Sequence, residues 1–147
     1  MRNEKQLEKA YDLIEEFGLF LEQSGYLPSA ARVYALLMVW ESSELHFDEI
    51  QQLLLLSKGA TSKAVNNLIA LGRIEVFTKR GIRKKFYRIK TKPGIESTKS
   101  FITYLERMKV NLEKIESYKI ENQIDGLRLK EEITFFTDLI KHINKLL

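Results

Sequence analysis

The hydrophobic period of this chain changes at Gly72, and that change restricts the fold more than any other feature. Before it, apolar residues recur at helical steps. After it, IEVFTK and IRKKFYRI alternate with a period of two on either side of Arg80 and Gly81. Two alternating runs joined by a short turn predict a β-hairpin, in which Gly81 can take the positive φ that tight turns need.

The residues ahead of the hairpin read as helices. Residues 4–24 space Leu7, Ala10, Tyr11, Ile14, Phe17 and Leu21 at three- and four-residue steps, with Glu8, Asp12, Glu15, Glu16 and Glu22 largely between them. This is an amphipathic helix with an acidic outer face, and Gly25 stands just past its end. LPSAARVYALLMVW opens a second helix, with Pro28 near its first turn and an almost continuous apolar body from Ala30 to Trp40 that must be buried. SSELHF has room for a small strand only. Asp48 then starts a short helix, DEIQQLLL, and Ser57 is placed to cap the next one, which runs from about Lys58 to Leu71 and stops at Gly72. Helix, helix, short strand, helix, turn, helix, hairpin is the order of a winged helix-turn-helix. Beyond KTKPGIES the chain is helical again. Phe101, Leu105, Met108, Leu112 and Ile115 form one stripe; Leu129, Ile133, Phe136, Ile140, Ile143 and Leu147 form another after a break around residues 122–126. Such stripes suit a long helix with a second one packed on it or on a partner chain.

Charge is distributed unevenly over this plan. Residues 1–56 net −6, residues 57–92 net +10 with Glu75 as their single acid, and residues 93–147 net 0. Like charges crowded together disfavour the compact state, so the central cluster reads as the footprint of an anionic partner. Within it, an advance of about 100° per residue puts Gly59, Ser62, Lys63 and Asn66 on one side of the helix after Ser57. Thr61, Ala64, Val65, Leu68 and Leu71 fall on the opposite side. The apolar side can dock on the preceding helices, which leaves a narrow polar stripe for a major groove. Lys can donate to guanine, Asn can pair bidentately with adenine, and Ser serves base or phosphate; the N–H groups near Ser57, Lys58 and Gly59 suit a phosphate. Lys79, Arg80, Arg83, Lys84 and Lys85 crowd the hairpin tip, where a minor groove or the phosphates beside the reading helix would accommodate them. The alternative for the stripe is an ordinary solvated helix face with Ser57 as a cap only.

The order LPSAARVYALL, FDEIQQLLLLSKGATSKAVNNLIALGRIEVF and KRGIRKKFYRI resembles the MarR superfamily of bacterial transcriptional regulators, in particular its GbsR-type branch, over roughly residues 1–120. The resemblance implies that SKGATSKAVNNL is a recognition helix and the Gly81 turn a wing. It further implies a homodimer whose N- and C-terminal helices form the interface, each winged-helix lobe reading one half-site. Two features depart from that pattern: Ile82 stands where the family's wing often has an acid, and residues 126–147 make a longer end. The expected fold is therefore mainly α with a small β-hairpin wing. Residues 1–24 would be an N-terminal helix at the dimer interface, 25–92 the winged helix-turn-helix DNA-binding lobe, and 93–147 the C-terminal dimerisation helices.

Other chemistry finds little support. His46 and His142 are isolated, no phosphate-binding or dinucleotide glycine pattern occurs, and Ser-x-x-Lys is absent, so no catalytic residue, metal site or cofactor is expected. Cysteine is absent, which removes disulfides and thiolate chemistry. The longest apolar run falls far short of the ~20 residues of a membrane span. MRNEKQLEKAYD lacks signal-peptide character, and a cytoplasmic protein is the expectation. Aromatics at helical spacing are ordinarily core. The competing reading gathers Tyr34, Trp40, Phe101 and Tyr104, with Tyr26, around a small-molecule effector, a quaternary ammonium held by cation–π attraction being the type the family resemblance brings forward. Two function classes emerge: a dimeric, sequence-specific regulator of transcription on double-stranded DNA, read as a repressor at a pseudo-palindromic operator, and a winged-helix module that binds an acidic protein or RNA.

Overall fold

A computed structural model of the chain describes residues 3–90 and 92–147. The chain forms two compact units, the first ending at Thr91 and the second beginning at Lys92. The first contains helices α1 (Glu4–Gln23) and α2 (Pro28–Val39), strand β1 (Glu44–His46), helices α3 (Phe47–Leu53) and α4 (Lys58–Ala70), and strands β2 (Ile74–Lys79) and β3 (Ile82–Ile89). The second is α5 (Pro93–Glu121) followed by α6 (Leu127–Asn144). The expected class, mainly helical with a β wing, is the observed one.

Helix α1 starts in a reciprocal cap: Gln6 N–H donates to Asn3 Oδ1 at 2.8 Å and Asn3 N–H to Gln6 Oε1 at 3.0 Å. Its end turns through Gly25 at φ +94°, where Tyr26 N–H reaches back to the Leu21 carbonyl at 3.1 Å. Ala10, Ile14, Gly18 and Leu21 are its buried stripe, packed on α2. Helix α2 is buried at Ala30, Ala31 and every residue from Val33 to Leu37, as its apolar body requires. Leu45, Ile50, Ala64, Val65, Leu68, Ile74 and Tyr87 complete one core, so each element of this unit contributes to it. Arg32, which interrupts the apolar face of α2, is paired with Glu15 at 2.7 Å and with Glu22.

The hairpin is part of a larger sheet. Strand β1 pairs antiparallel with β3, Leu45 opposite Tyr87, and gives a three-stranded order β1-β3-β2. The small strand expected within SSELHF is β1, but the alternation of three residues is too brief to reveal its pairing, so the third place in the sheet was not read from the sequence pattern. Helix α3 also begins one residue before Asp48, because His46 serves as its cap: Glu49 N–H donates to His46 Nδ1 at 3.4 Å while His46 N–H donates to Glu49 Oε2 at 2.9 Å. Leu71, expected on the buried face of its helix, is exposed. It is the C-cap residue of α4, beyond the last helical turn that packs on the core.

In the second unit α6 folds back on α5. The turn uses Gln123 at φ +54°, with Ile124 N–H donating to the Lys119 carbonyl at 2.8 Å and Leu127 N–H to Asp125 Oδ1 at 2.9 Å. Leu105 of the expected α5 stripe is buried and Met108 and Leu112 are half-buried, but Phe101 and Ile115 are exposed and Ile102 is buried. The α6 stripe from Leu129 to Ile143 is half-buried, Leu147 is exposed, and no residue of α6 is fully buried.

Candidate nucleic-acid interface

Helix α4 is held at its start by two bonds to Ser57. Ala60 N–H donates to Ser57 Oγ at 3.1 Å, which makes Ser57 the N-cap, and the Thr61 hydroxyl donates to the Ser57 carbonyl at 2.9 Å. The second bond satisfies a fully buried hydroxyl that would otherwise cost stability. Thr61, Ala64, Val65 and Leu68 face the core, while Gly59, Lys63 and Asn66 are exposed and Ser62 is half-buried. Apart from Leu71, the two faces fall as the helical period placed them. A Cβ built on Gly59 would meet nothing within 4 Å, so packing does not demand glycine there. Its effect is to leave the backbone of the first turn uncovered.

The wing cations differ in the partners they already have. Lys85 and Tyr87 share one side of β3 and Phe86 and Arg88 the other, since strand side chains alternate, but the register shifts between Thr78 and Lys79 and interrupts that alternation toward the tip. Three of the hairpin's cations are committed within the protein. Lys79 pairs with Glu44 and stands 4.4 Å over the Phe86 ring; Lys84 Nζ lies 3.5 Å from Asp48 Oδ2; and Arg88 pairs with Glu75 while lying 4.6 Å over the Phe77 ring. Beneath them Phe77, Phe86 and His46 form a row across the three strands, with ring centroids 5.8 and 5.9 Å apart. Among the described residues, Arg80, Arg83 and Lys85 of the wing and Lys58 and Lys63 of α4 have no ion pair.

Between α4 and the wing runs a groove of about 610 Å³, with Lys58, Ser62 and Asn66 on one wall and Arg83, Lys84 and Lys85 on the other. Tyr87 also lines it, and burial raises the pKa of this phenol above its ordinary value. Six of the eleven residues expected to meet nucleic acid thus line one groove. Ser57, Gly59, Lys63, Lys79 and Arg80 lie outside its lining. Sequence reasoning missed His46 and Asp48, which also line it. They fall outside the basic segment and reach the groove only because β1 pairs with β3. Among the described residues no cluster of three or more His, Asp or Glu side chains is placed to hold a metal ion. None of the described helices is long and apolar enough to cross a membrane.

The four aromatics read as an effector cage have separate neighbours. Tyr34 is buried in the core, stacked on Tyr26 at 6.1 Å and tilted against Phe17 at 6.5 Å, and burial raises its pKa. Trp40 meets Tyr11 edge-on at 6.1 Å. Phe101 and Tyr104 stack on each other at 6.3 Å on α5, both exposed.

No protein-family model matches the sequence, and no curated protein matches it. Solved structures do. Two of them are MepR, a transcription regulator of the Staphylococcus aureus multidrug efflux pump MepA (16% identity, 99% of this chain and 100% of that one, TM-score 0.46), and a MarR transcriptional regulator from Methanosarcina mazei Go1 (15% identity, 97% and 96%, TM-score 0.42). A third, described as a transcriptional regulator, shares 17% identity over 94% of this chain and 92% of its own, with a TM-score of 0.67, and it is this likeness that shows the chain to have a winged-helix fold.

Proposed function

We propose that the chain is a sequence-specific, DNA-binding regulator of transcription of the MarR type, close to the GbsR branch, acting as a two-fold dimer that represses from a pseudo-palindromic operator. The observation that carries this reading is the groove between α4 and the wing, where Lys58, Arg83 and Lys85 stand without intramolecular ion pairs beside the hydrogen-bonding side chains of Ser62 and Asn66. Unpaired cations suit phosphates, which position a protein on a duplex, and Lys and Asn side chains on a helix suit base edges, which carry the sequence. In this reading Asn66, Lys63 and Ser62 read bases, the first turn of α4 at Ser57, Lys58 and Gly59 receives a phosphate, and Arg80, Arg83 and Lys85 hold the backbone. Lys79 and Lys84 take lesser parts because Glu44 and Asp48 already engage them.

A dimer accounts for apolar surface that each unit leaves open: Leu13, Leu19 and Phe20 on α1, and Tyr118, Ile120, Leu127 and Phe135 in the second unit. The test of the functional reading is an electrophoretic shift assay with duplex DNA from upstream of the chain's own gene, competed by scrambled duplex, by single-stranded RNA and by an acidic protein. Retention on the upstream duplex against the other three supports it. Preferential loss to RNA or to the acidic protein would replace it with the interaction-module reading.

A further inference from the structure

Asp48 is an acid in a groove lined by the cations Lys58, Arg83, Lys84 and Lys85. It lies in the first turn of α3 and lines the groove with Lys58, Arg83 and Lys85, and its Oδ2 is 3.5 Å from Lys84 Nζ. Two contacts fix the elements that carry this pair. The His46 imidazole caps α3 by accepting from Glu49 N–H at 3.4 Å, and the same ring meets Phe86, two residues along β3 from Lys84, edge-on at 5.9 Å. The start of α3 and the middle of β3 are therefore braced to each other, and the carboxylate stays within reach of the ammonium. For a duplex phosphate, Asp48 is a competitor in place: it presents the same oxygen chemistry to the same lysine, and its charge repels the phosphate that would replace it.

We propose that Asp48 is a positioning residue that acts through Lys84, a built-in phosphate mimic that keeps this ammonium at the α3 end of the groove and has to be displaced before DNA can take it. The inference rests on the DNA-binding reading and deepens it: of the three wing cations in the groove, Arg83 and Lys85 bind the backbone directly, while Lys84 is held in reserve. Asp48 then limits the part of the affinity that comes from phosphates and leaves the α4 face untouched.

The experiment titrates the full chain against a duplex of arbitrary sequence at about 50 and about 200 mM salt, where phosphate contacts dominate. Wild type, Asp48→Asn, Lys84→Gln and the double variant are compared. Asp48→Asn should bind about twofold to fivefold more tightly at the lower salt, the scale of an exposed ion pair. Its log–log salt slope should steepen by about 0.9 for each bound lobe, as one more phosphate contact forms. Lys84→Gln alone should leave the slope near that of wild type, and in its background Asp48→Asn should no longer steepen it. An Asp48→Asn slope equal to wild type overturns the proposal, and so does an equal effect of Asp48→Asn with and without Lys84, which would make the acid a source of general repulsion. A shallower slope for Lys84→Gln alone also overturns it, and that exposed variant decides the matter even where Asp48→Asn folds poorly. Steep wild-type binding with any of these results sinks this inference alone; no wild-type binding to duplex sinks the DNA reading with it.

Discussion

The Arg32 side chain of α2 lies across Gly18 of α1, so that a Cβ at position 18 would stand 2.5 Å from Arg32 Cδ. From there the guanidinium reaches Glu15 and Glu22 on the two flanking turns. Gly18 is buried within a helix, where glycine is a poor former, so the missing side chain serves the crossing. In an Arg32→Ala background, Gly18→Ala should stabilise the protein by about 0.5–1 kcal/mol, the helix-propensity difference. With Arg32 present that gain should vanish or reverse, because the guanidinium must leave its two carboxylates. Urea denaturation of the four variants measures the coupling, and equal effects in both backgrounds would contradict this account.

The same contact sets a pH dependence. The hydrogen bond from Arg32, with the charge beside it, holds the Glu15 carboxyl below its ordinary pKa of 4.5 despite some desolvation. A carboxylate with a lowered folded-state pKa contributes stability that is fully present above 4.5 and is lost as pH falls through the lowered value. The stability difference between wild type and Glu15→Gln should therefore be full at neutral pH and shrink on acidification below that range. It should be small, under about 1 kcal/mol, because the carboxylate is largely exposed. A difference that grows with acid would contradict it.

Leu55, in the turn between α3 and α4, has φ +52° and is 91% exposed. A left-handed conformation costs an L-residue roughly 1–2 kcal/mol, and so exposed a side chain recovers little of that by packing. Leu55→Gly should raise stability by up to about 1 kcal/mol after the added freedom of the unfolded chain is counted. A lower melting temperature would show that Leu55 has a partner of its own.

What the sequence discloses about this chain follows the length of each pattern. The core face of α4 was legible because thirteen residues give the helical period several repeats, and the hairpin because β2 and β3 alternate over six and eight residues around Gly81. Strand β1 has three residues, so its pairing with β3, which brings His46 and Asp48 to the groove, has no periodic trace. The basic character of the wing was plain from composition. Its division into engaged and unengaged cations was not, since Glu44 and Asp48 lie more than thirty residues away in the chain from Lys79 and Lys84. Ile102 was passed over beside Phe101 because two adjacent apolar residues fit one stripe equally well until packing chooses.

A dimer is expected at micromolar concentration by light scattering. Phe20 and Phe135, each 59% exposed, are the residues to test it, because charge at an exposed site leaves the fold of one chain intact. Phe20→Glu or Phe135→Glu should dissociate the dimer while keeping the helical circular dichroism signal. In contrast, Leu105→Glu, at a site 3% exposed, should lose about 3–5 kcal/mol and unfold. A wild-type chain that is monomeric at that concentration would contradict the dimer.

Titration of Asn66→Ala and Arg83→Ala against one preferred and one scrambled duplex at two salt concentrations decides whether α4 reads and the wing anchors. Asn66→Ala should cost about 1–3 kcal/mol on the preferred duplex and little on the scrambled one. Arg83→Ala should weaken both by a similar factor and make the salt slope shallower by about one unit per lost contact. If Arg83→Ala abolishes sequence preference while Asn66→Ala keeps it, the wing is the reader and the two surfaces have been assigned the wrong way round.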